Sequence, residues 1–407
     1  MANSLLTINM ITREAVRLWK NENSFIQHID TQYDDSFAQT GAKIGTALRI
    51  RLPNDFTVAT GPAAQVQDTA EVNTTLVLAT QKHVDVSYSS VDRTMALDDF
   101  SKRILAPMVN NLVGAVALDV MTGVDNGGCC NFVGNQDAAL NLSSPTASTW
   151  LQAGALLDIN SAARRNRKII LDPLTQARTV ASLAGLFNPQ PRISDQYDSG
   201  EMMTALGFEW FMDQTVLKHT TGTFSAGTVN GANQSGLTIV TNAITGQLNV
   251  GDIITFAGTN MVNRITKQST GQLRQFVVTS VALTGATSIN IYPALVPFGG
   301  QVAGNAVQYQ TVDFSPLNAA AITLVTQASQ IYRKNIAFAP EAITLATADL
   351  ELPKGVHEAA REVYDGVAMR MVSAYNIQTD QFITRLDVLY GYQYVRPEWV
   401  VAIADPI

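Results

Sequence analysis

Residues 251–281, GDIITFAGTNMVNRITKQSTGQLRQFVVTSV, set two short apolar runs around a polar loop. Ile253, Ile254, Phe256 and Ala257 form the first run; Phe276, Val277, Val278 and Val281 belong to the second. Asn260, Asn263, Arg264, Lys267, Gln268, Ser269 and Thr270 lie between them. Short runs rich in β-branched and aromatic residues, bounded by glycine and polar residues, predict strand, loop, strand. Similar runs near 237–241 and 288–292, separated by Gly246, Gly258 and Gly285, extend the pattern over residues 220–312. Such spacing predicts a small sandwich or barrel. Helical periodicity precedes and follows it, so an all-β unit interrupts a mixed chain.

The flanking sequence is ordered as follows. Residues 12–20 predict a short amphipathic helix with Thr12 as N-cap and Ile11, Ala15, Leu18 and Trp19 on one side. A polar stretch without period follows and reads as an extended arm. Alternation is strict at 47–52, with Leu48, Ile50 and Leu52 opposite Arg49 and Arg51, and resumes over 76–88. Two strands joined by a tip of small and polar residues predict a β-arm with little core of its own.

Asp98 and Asp99 are placed to start a long helix, where their charge suits the N-terminal dipole. Ile104, Met108, Leu112, Ala115 and Leu118 continue it at helical spacing, and Pro107 predicts a kink or restart. Helices at 150–163 and 174–186 flank a short buried strand at 168–171, followed by a strand at 208–217. After the β unit, the pattern predicts a helix at 318–329, a strand at 336–347 and a helix at 356–364. A strand meander closes the chain at 367–375, 381–390 and 398–404.

Composition narrows the function classes. Hydrophobic residues make up 46% of 407 and charged residues only 15%, against roughly 25% charged in ordinary soluble domains. Thr, Ser, Asn and Gln fill the deficit, and these can hydrogen-bond at an interface without the desolvation cost of a charge. Much surface is therefore expected to be buried between subunits. A net charge of −7 and a pI near 5.1 argue against tight nucleic-acid binding, which needs clustered cations. Cys129 and Cys130 are adjacent, with Cα atoms about 3.8 Å apart, closer than a relaxed disulfide takes, so reduced thiols are expected. The N-terminus lacks a basic start followed by an apolar region, so no signal peptide is expected. The sequons at Asn73, Asn141 and Asn233 then carry no meaning. Asn110, Asn111 and Asp119 interrupt the most apolar helix and exclude a membrane span.

No catalytic, cofactor-binding or metal-binding residue is expected. His357, Glu358 and Arg361 begin like the zinc pattern HExxH, but arginine replaces the second histidine, leaving an ordinary helix start. Asp195, Asp198 and Glu201 lack the fixed spacing of a calcium loop. Phosphate-cradling glycine patterns and a nucleophile elbow are absent from the sequence. Arg164, Arg165, Arg167 and Lys168 form the one dense basic run. They follow a helix and suit its C-terminal dipole; an inter-subunit or nucleic-acid contact is the other reading.

The order of parts, taken with particular residues, resembles a tailed-phage major capsid protein of the HK97-like fold. More narrowly it resembles the P22 coat-protein-like family, whose fold carries an inserted β-barrel domain. The residues that carry this are Gly251, Asp252, Ile253, Ile254, Thr255, Phe256, Ala257 and Gly258, then Val262, Asn263, Thr266, Lys267 and 273–278. Phe187, Asn188, Pro189, Gln190, Gly207 and Phe208 add to it, as do Asp98, Asp99, Asn110 and Asn111 in the long helix. One departure is clear: the stretch matching the charged loop that bridges capsomers in the family's best-known member, 222–236, is short and uncharged here.

The resemblance implies an α+β fold of seven parts. These are an N-terminal arm (1–44), an E-loop β-arm (45–90), a spine helix with peripheral domain (91–149) and an axial domain in two pieces (150–219 and 329–364). The inserted β-barrel (220–328) separates those pieces, and closing strands (365–407) return to the peripheral domain. It implies a non-enzymatic shell subunit that forms hexamers and pentamers in an icosahedral procapsid, assembles in the host cytoplasm and becomes part of the virion. Scaffolding and portal proteins are implied partners, with a decoration protein as a further candidate. Double-stranded DNA is enclosed without sequence-specific binding, no membrane is involved, and the shell rearranges on packaging. Arg13, Glu14 and Arg17 are the candidate scaffold contact. Arg49, Arg51, Arg164, Arg165, Arg167, Arg264 and Lys267 are candidate inter-subunit contacts. A cargo-holding nanocompartment shell, which shares the fold, is the alternative.

Overall fold

The structure is a computed structural model that describes residues 12–15, 18, 23–31, 47–52, 56, 58, 60–62, 64, 66, 73–89, 105–183, 204–299, 307–364 and 367–407. Asp98, Asp99, Arg17, Phe187, Asn188, Pro189, Gln190, Asp195, Asp198 and Glu201 lie outside the described residues. The chain divides into two compact units. One comprises Met1–Arg51, Asn73–Val120 and Ile343–Val395; the other comprises Leu52–Val72, Met121–Ala342 and Arg396–Ile407.

In the first unit the long strand Gln381–Tyr394 pairs antiparallel with Thr80–Ser89, Val367–Asn376 and Ile343–Ala348, and Val367–Asn376 pairs in turn with Glu358–Tyr364. Of the expected two-stranded arm, Ala47–Arg51 lies in register against Asn73–Val77, whereas most of the expected 76–88 strand, Thr80–Ser89, pairs with Gln381–Tyr394 instead. Ile50, Leu76 and Leu78 pack with Ala346 and Ala348 as a small satellite core. The Ala106–Thr122 helix buries Met108, Val109, Leu112, Val113, Val116, Ala117 and Val120, while Leu118 is 46% exposed. The apolar face is thus rotated from the expected one. The described helix starts at Ala106, and Pro107 sits in its first turn, where its missing N–H costs nothing. Tyr390 donates its hydroxyl to Asp119 and Tyr394 donates to the Val120 carbonyl, which fixes the helix against this sheet.

The second unit is built on an eight-stranded sheet. Its order is Leu142–Ser143, Asn131–Gln136, Val400–Pro406, Ile331–Phe338, Lys168–Leu171, Phe208–Met212, Thr204–Ala205, with Lys218–Thr220 joined to the start of Ile331–Phe338. The Ala147–Ile159 helix lays Trp150, Ala153 and Leu157 on this sheet against Ile169, Leu171, Phe208 and Trp210. Trp150 and Trp210 meet edge to face at 4.9 Å, a geometry worth about 0.5–1.5 kcal/mol beyond the area buried.

The inserted unit is all-β, with sheet order Gly236–Val240, Ser288–Leu295, Ser269–Val278, Ile253–Val262, Ile322–Leu324. Its closure comes from the short uncharged stretch noted above. Val229 bridges Thr241 next to one edge strand, and Thr228 bridges Ala321 next to the other. The Val229 N–H donates to the Ala320 carbonyl and the Ile322 N–H to the Gly227 carbonyl, both at 2.9 Å. Residues 226–229 thus act as a last stave, satisfying edge groups that would otherwise template aggregation. The interior is a continuous apolar cluster that includes Phe224, Ile239, Phe256, Phe276, Ile291, Val312 and Leu324.

Several local expectations are overturned. The region 318–329 holds the strand Ile322–Leu324, because buried and exposed residues alternate from Ile322 to Thr326 and pair with Ile254–Phe256. Glu358–Tyr364 is a strand, paired residue for residue with Val367–Ser373; this tertiary pairing overrides the helix propensity of Glu358, Ala359, Ala360 and Arg361. The expected strand at 336–347 is two strands, split by a short turn at Pro340–Ala342, and they lie in different sheets. The closing strands are not one meander, since Val400–Pro406 enters the eight-stranded sheet between Asn131–Gln136 and Ile331–Phe338. The polar loop is shorter than expected, with strands reaching Val262 and restarting at Ser269 through irregular register. Within it, Asn263 Oδ1 accepts from the Ile265 and Thr266 N–H groups.

Candidate functional site: the inserted barrel and its root

The barrel meets the eight-stranded sheet through polar contacts. Gln275, on a central barrel strand, accepts from the Phe132 N–H at 2.6 Å and donates to the Phe132 carbonyl at 3.0 Å, so one side chain mimics a ladder partner. Gln136 donates to the Val325 carbonyl at 3.0 Å, and buried Arg274 reaches Asn160 Oδ1 at 3.2 Å. The two strands that connect barrel to sheet, Lys218–Thr220 and the start of Ile331–Phe338, pair with each other. Thr221 Oγ1 donates to the Gln327 carbonyl at 2.8 Å beside them.

Beneath those connecting strands lies an ionic quartet, with three members buried and the Asp125 side chain 20% exposed. His219 Nε2 is 3.0 Å from Asp252 Oδ1, and His219 Nδ1 is 3.4 Å from Asp125 Oδ2. Lys334 Nζ reaches Asp125 Oδ1 at 2.5 Å and the Gly251 carbonyl at 3.2 Å. The second Asp252 oxygen accepts from the Gly222 N–H at 3.0 Å and the Asn249 N–H at 2.7 Å. His219 is 4% exposed, Asp252 0% and Lys334 1%. Asp125 comes from the turn after the long helix, His219 and Lys334 from the connecting strands, and Asp252 from the barrel's Gly251 turn.

Burial alone would push the Asp125 carboxyl up; Lys334 and His219 beside it outweigh that and hold it well below the ordinary range. For His219, burial pulls the pKa down, yet hydrogen bonds to Asp125 and Asp252 prevail and raise it above its usual value. Burial pushes the Cys129 thiol up to about 11 and Cys130 well above normal, so neither is poised to react. Both thiols are free and donate to backbone carbonyls.

The candidate contact residues are scattered. Arg13 is exposed and Glu14 half-buried on a helical turn. Arg49 and Arg51 are exposed on the arm strand on either side of buried Ile50. Arg164 lies exposed with its fork on Asp158, and Arg165 is exposed. Arg167 differs: at 6% exposure it spends its donors on Asp158 and on the Gly154, Ala162 and Ala163 carbonyls, so its charge serves the end of its own helix rather than a neighbour. Arg264 and Lys267 are half-buried on the barrel loop. His357 immediately precedes the strand that Glu358 opens, the two lie 3.9 Å apart, and His357 packs edge-on against Phe382. Among the described residues, no group of three or more His, Cys, Asp or Glu is placed to hold a metal ion. Among them, too, no helix is long and apolar enough to cross a membrane.

Asp125 and Lys334 carry no signal in the sequence, and His219 reads there only as a histidine without ligand spacing. Only Asp252 fell within a quoted motif, and the signal there was a charge embedded in a strand start, GDIITF.

The family model described as P22 coat protein - gene protein 5 matches residues 38–403, so the chain belongs to the P22 coat protein family. Its fold is HK97-like with an inserted all-β domain, and as a capsid protein it is a virion component that forms shell oligomers. Among solved structures, the capsid of Ralstonia phage GP4 is similar at 8% identity, covering 95% of this chain and 91% of that chain with a TM-score of 0.47. A chain of Mycobacterium phage Che8 is similar at 12% identity, covering 94% and 90%, with a TM-score of 0.44. The CUS-3 coat protein I-domain is similar at 28% identity, covering 24% of this chain and 94% of that chain with a TM-score of 0.20. No curated protein sequence matches significantly.

Proposed function

We propose that this coat protein is the major capsid subunit of a tailed double-stranded DNA phage, assembling as hexamers and pentamers into an icosahedral procapsid that rearranges when DNA is packaged. The observation that carries the reading is the family match over 38–403, a range that includes the long helix, the eight-stranded sheet and the barrel. Assembly is proposed to proceed in the host cytoplasm with scaffolding and portal proteins, and a decoration protein is a candidate addition. Its role is structural rather than enzymatic. Exposed Arg13 with Glu14 and Arg17 would face the scaffold; Arg49, Arg51, Arg164, Arg165, Arg264 and Lys267 would face neighbouring subunits. DNA is enclosed without sequence reading, in keeping with a net charge of −7.

Electron micrographs of particles purified from infected cells test this. Two populations are expected, DNA-free precursor shells and DNA-filled shells of altered diameter and wall thickness. Shells that hold only protein cargo and never DNA would support the nanocompartment instead.

A further inference from the structure

Both ring nitrogens of His219 face carboxylate oxygens, Asp252 Oδ1 at 3.0 Å and Asp125 Oδ2 at 3.4 Å. Carboxylates only accept, and a neutral imidazole has a single N–H, so one nitrogen would then point its lone pair at an anion. The geometry therefore selects the doubly protonated ring. With it, two cations and two carboxylates balance; without that proton the quartet, buried apart from part of Asp125, carries one uncompensated negative charge. The other titratable groups packed around the ring do not compensate. Tyr332, 5.4 Å away ring to ring, is pushed well above its ordinary pKa by burial, as is the Cys129 thiol.

We infer that Asp125, His219, Asp252 and Lys334 form a proton-dependent latch, which holds the inserted barrel on the central sheet while His219 is charged and releases the connecting strands when it is not. The site is placed for this role. His219 and Lys334 lie on the two strands that join barrel to sheet, Asp252 anchors the Gly222 and Asn249 amides of the barrel, and Asp125 belongs to the body. A folded pKa raised above the free value of 6.5 fixes the sign. The latch is fully closed below that free value and weakens as pH rises through the folded one.

Hydrogen exchange on the full-length unassembled chain tests the inference, read at the segments holding Gly222 and Asn249 and corrected for the intrinsic pH dependence. Protection there should fall with rising pH by up to about tenfold per unit, the slope of one proton, while the barrel interior stays protected. His219→Gln should show low protection with a flat profile. Exchange at the imidazole C2 carbon of the unaltered protein gives the His219 midpoint directly, so a variant that fails to fold does not remove the test. Coincidence of that midpoint with the loss of protection supports the latch. Protection independent of pH across the His219 titration, or a His219 midpoint at or below that of an exposed histidine, overturns it.

Discussion

Asp387 is wholly buried, yet Arg370 forks onto its two oxygens at 3.0 and 2.6 Å, Arg385 approaches at 3.2 Å and Gln81 donates at 3.0 Å. Removing one member of such a network strands the others. Asp387→Asn should therefore destabilise its unit by about 3–5 kcal/mol, visible as a lower denaturation midpoint. Glycines separate two other effects. A methyl at position 222 would sit 2.0 Å from the Gln247 carbonyl oxygen, whereas one at Gly258 meets nothing within 4 Å but must adopt a φ of +77°. Gly222→Ala should thus abolish soluble protein, and Gly258→Ala should cost only about 1–2 kcal/mol in thermal stability. Residue contacts of this kind were the least legible in the sequence. Asp125 and Lys334 are 209 positions apart, and no local pattern marks two residues that meet only after the sheet has formed.

At the scale of elements, the barrel was legible because its strands hold short β-branched and aromatic runs bounded by glycine; only Ser288–Leu295 also alternates exposed and buried from its start. The Ala147–Ile159 helix appeared close to its expected bounds for a parallel reason, the Trp150, Ala153, Leu157 spacing on one face. Glu358–Tyr364 was misread because Glu358, Ala359, Ala360 and Arg361 favour helix, whereas the antiparallel pairing with the very next strand, Val367–Asn376, decides the outcome. The Ala106–Thr122 face was rotated because alanines and valines offer little contrast between inside and outside.

Two expectations belong at this scale. The barrel's core cluster draws on residues 224–324 alone, so a 220–328 fragment should fold by itself and give a dispersed amide NMR spectrum; a collapsed spectrum would show dependence on the rest of the coat. Along the β-arm, Val58 is 98% exposed and Val66 93%. Amides of the arm should exchange fast in the free subunit and become protected in the shell, where a neighbour would cover them. Equal exchange in both states would remove the arm from the inter-subunit contacts.

For the whole molecule, the 15% charged content implies contacts that are broad and mostly uncharged, as suits a closed shell that spreads modest interfaces over many copies. A scaffold contact made through Arg13, Glu14 and Arg17 would differ, since exposed ion pairs are screened within about 8–10 Å near physiological salt. Raised salt should therefore release scaffold from preformed shells before it loosens the coat lattice, which sedimentation of shell and released scaffold would show. The most direct measurement is co-expression of this chain with the scaffolding protein proposed for it, followed by electron microscopy of the purified product. Uniform, closed, round shells are expected. A folded chain that stays a dispersed monomer under all conditions, forming neither shells nor aberrant spirals, would contradict the assignment as a capsid subunit.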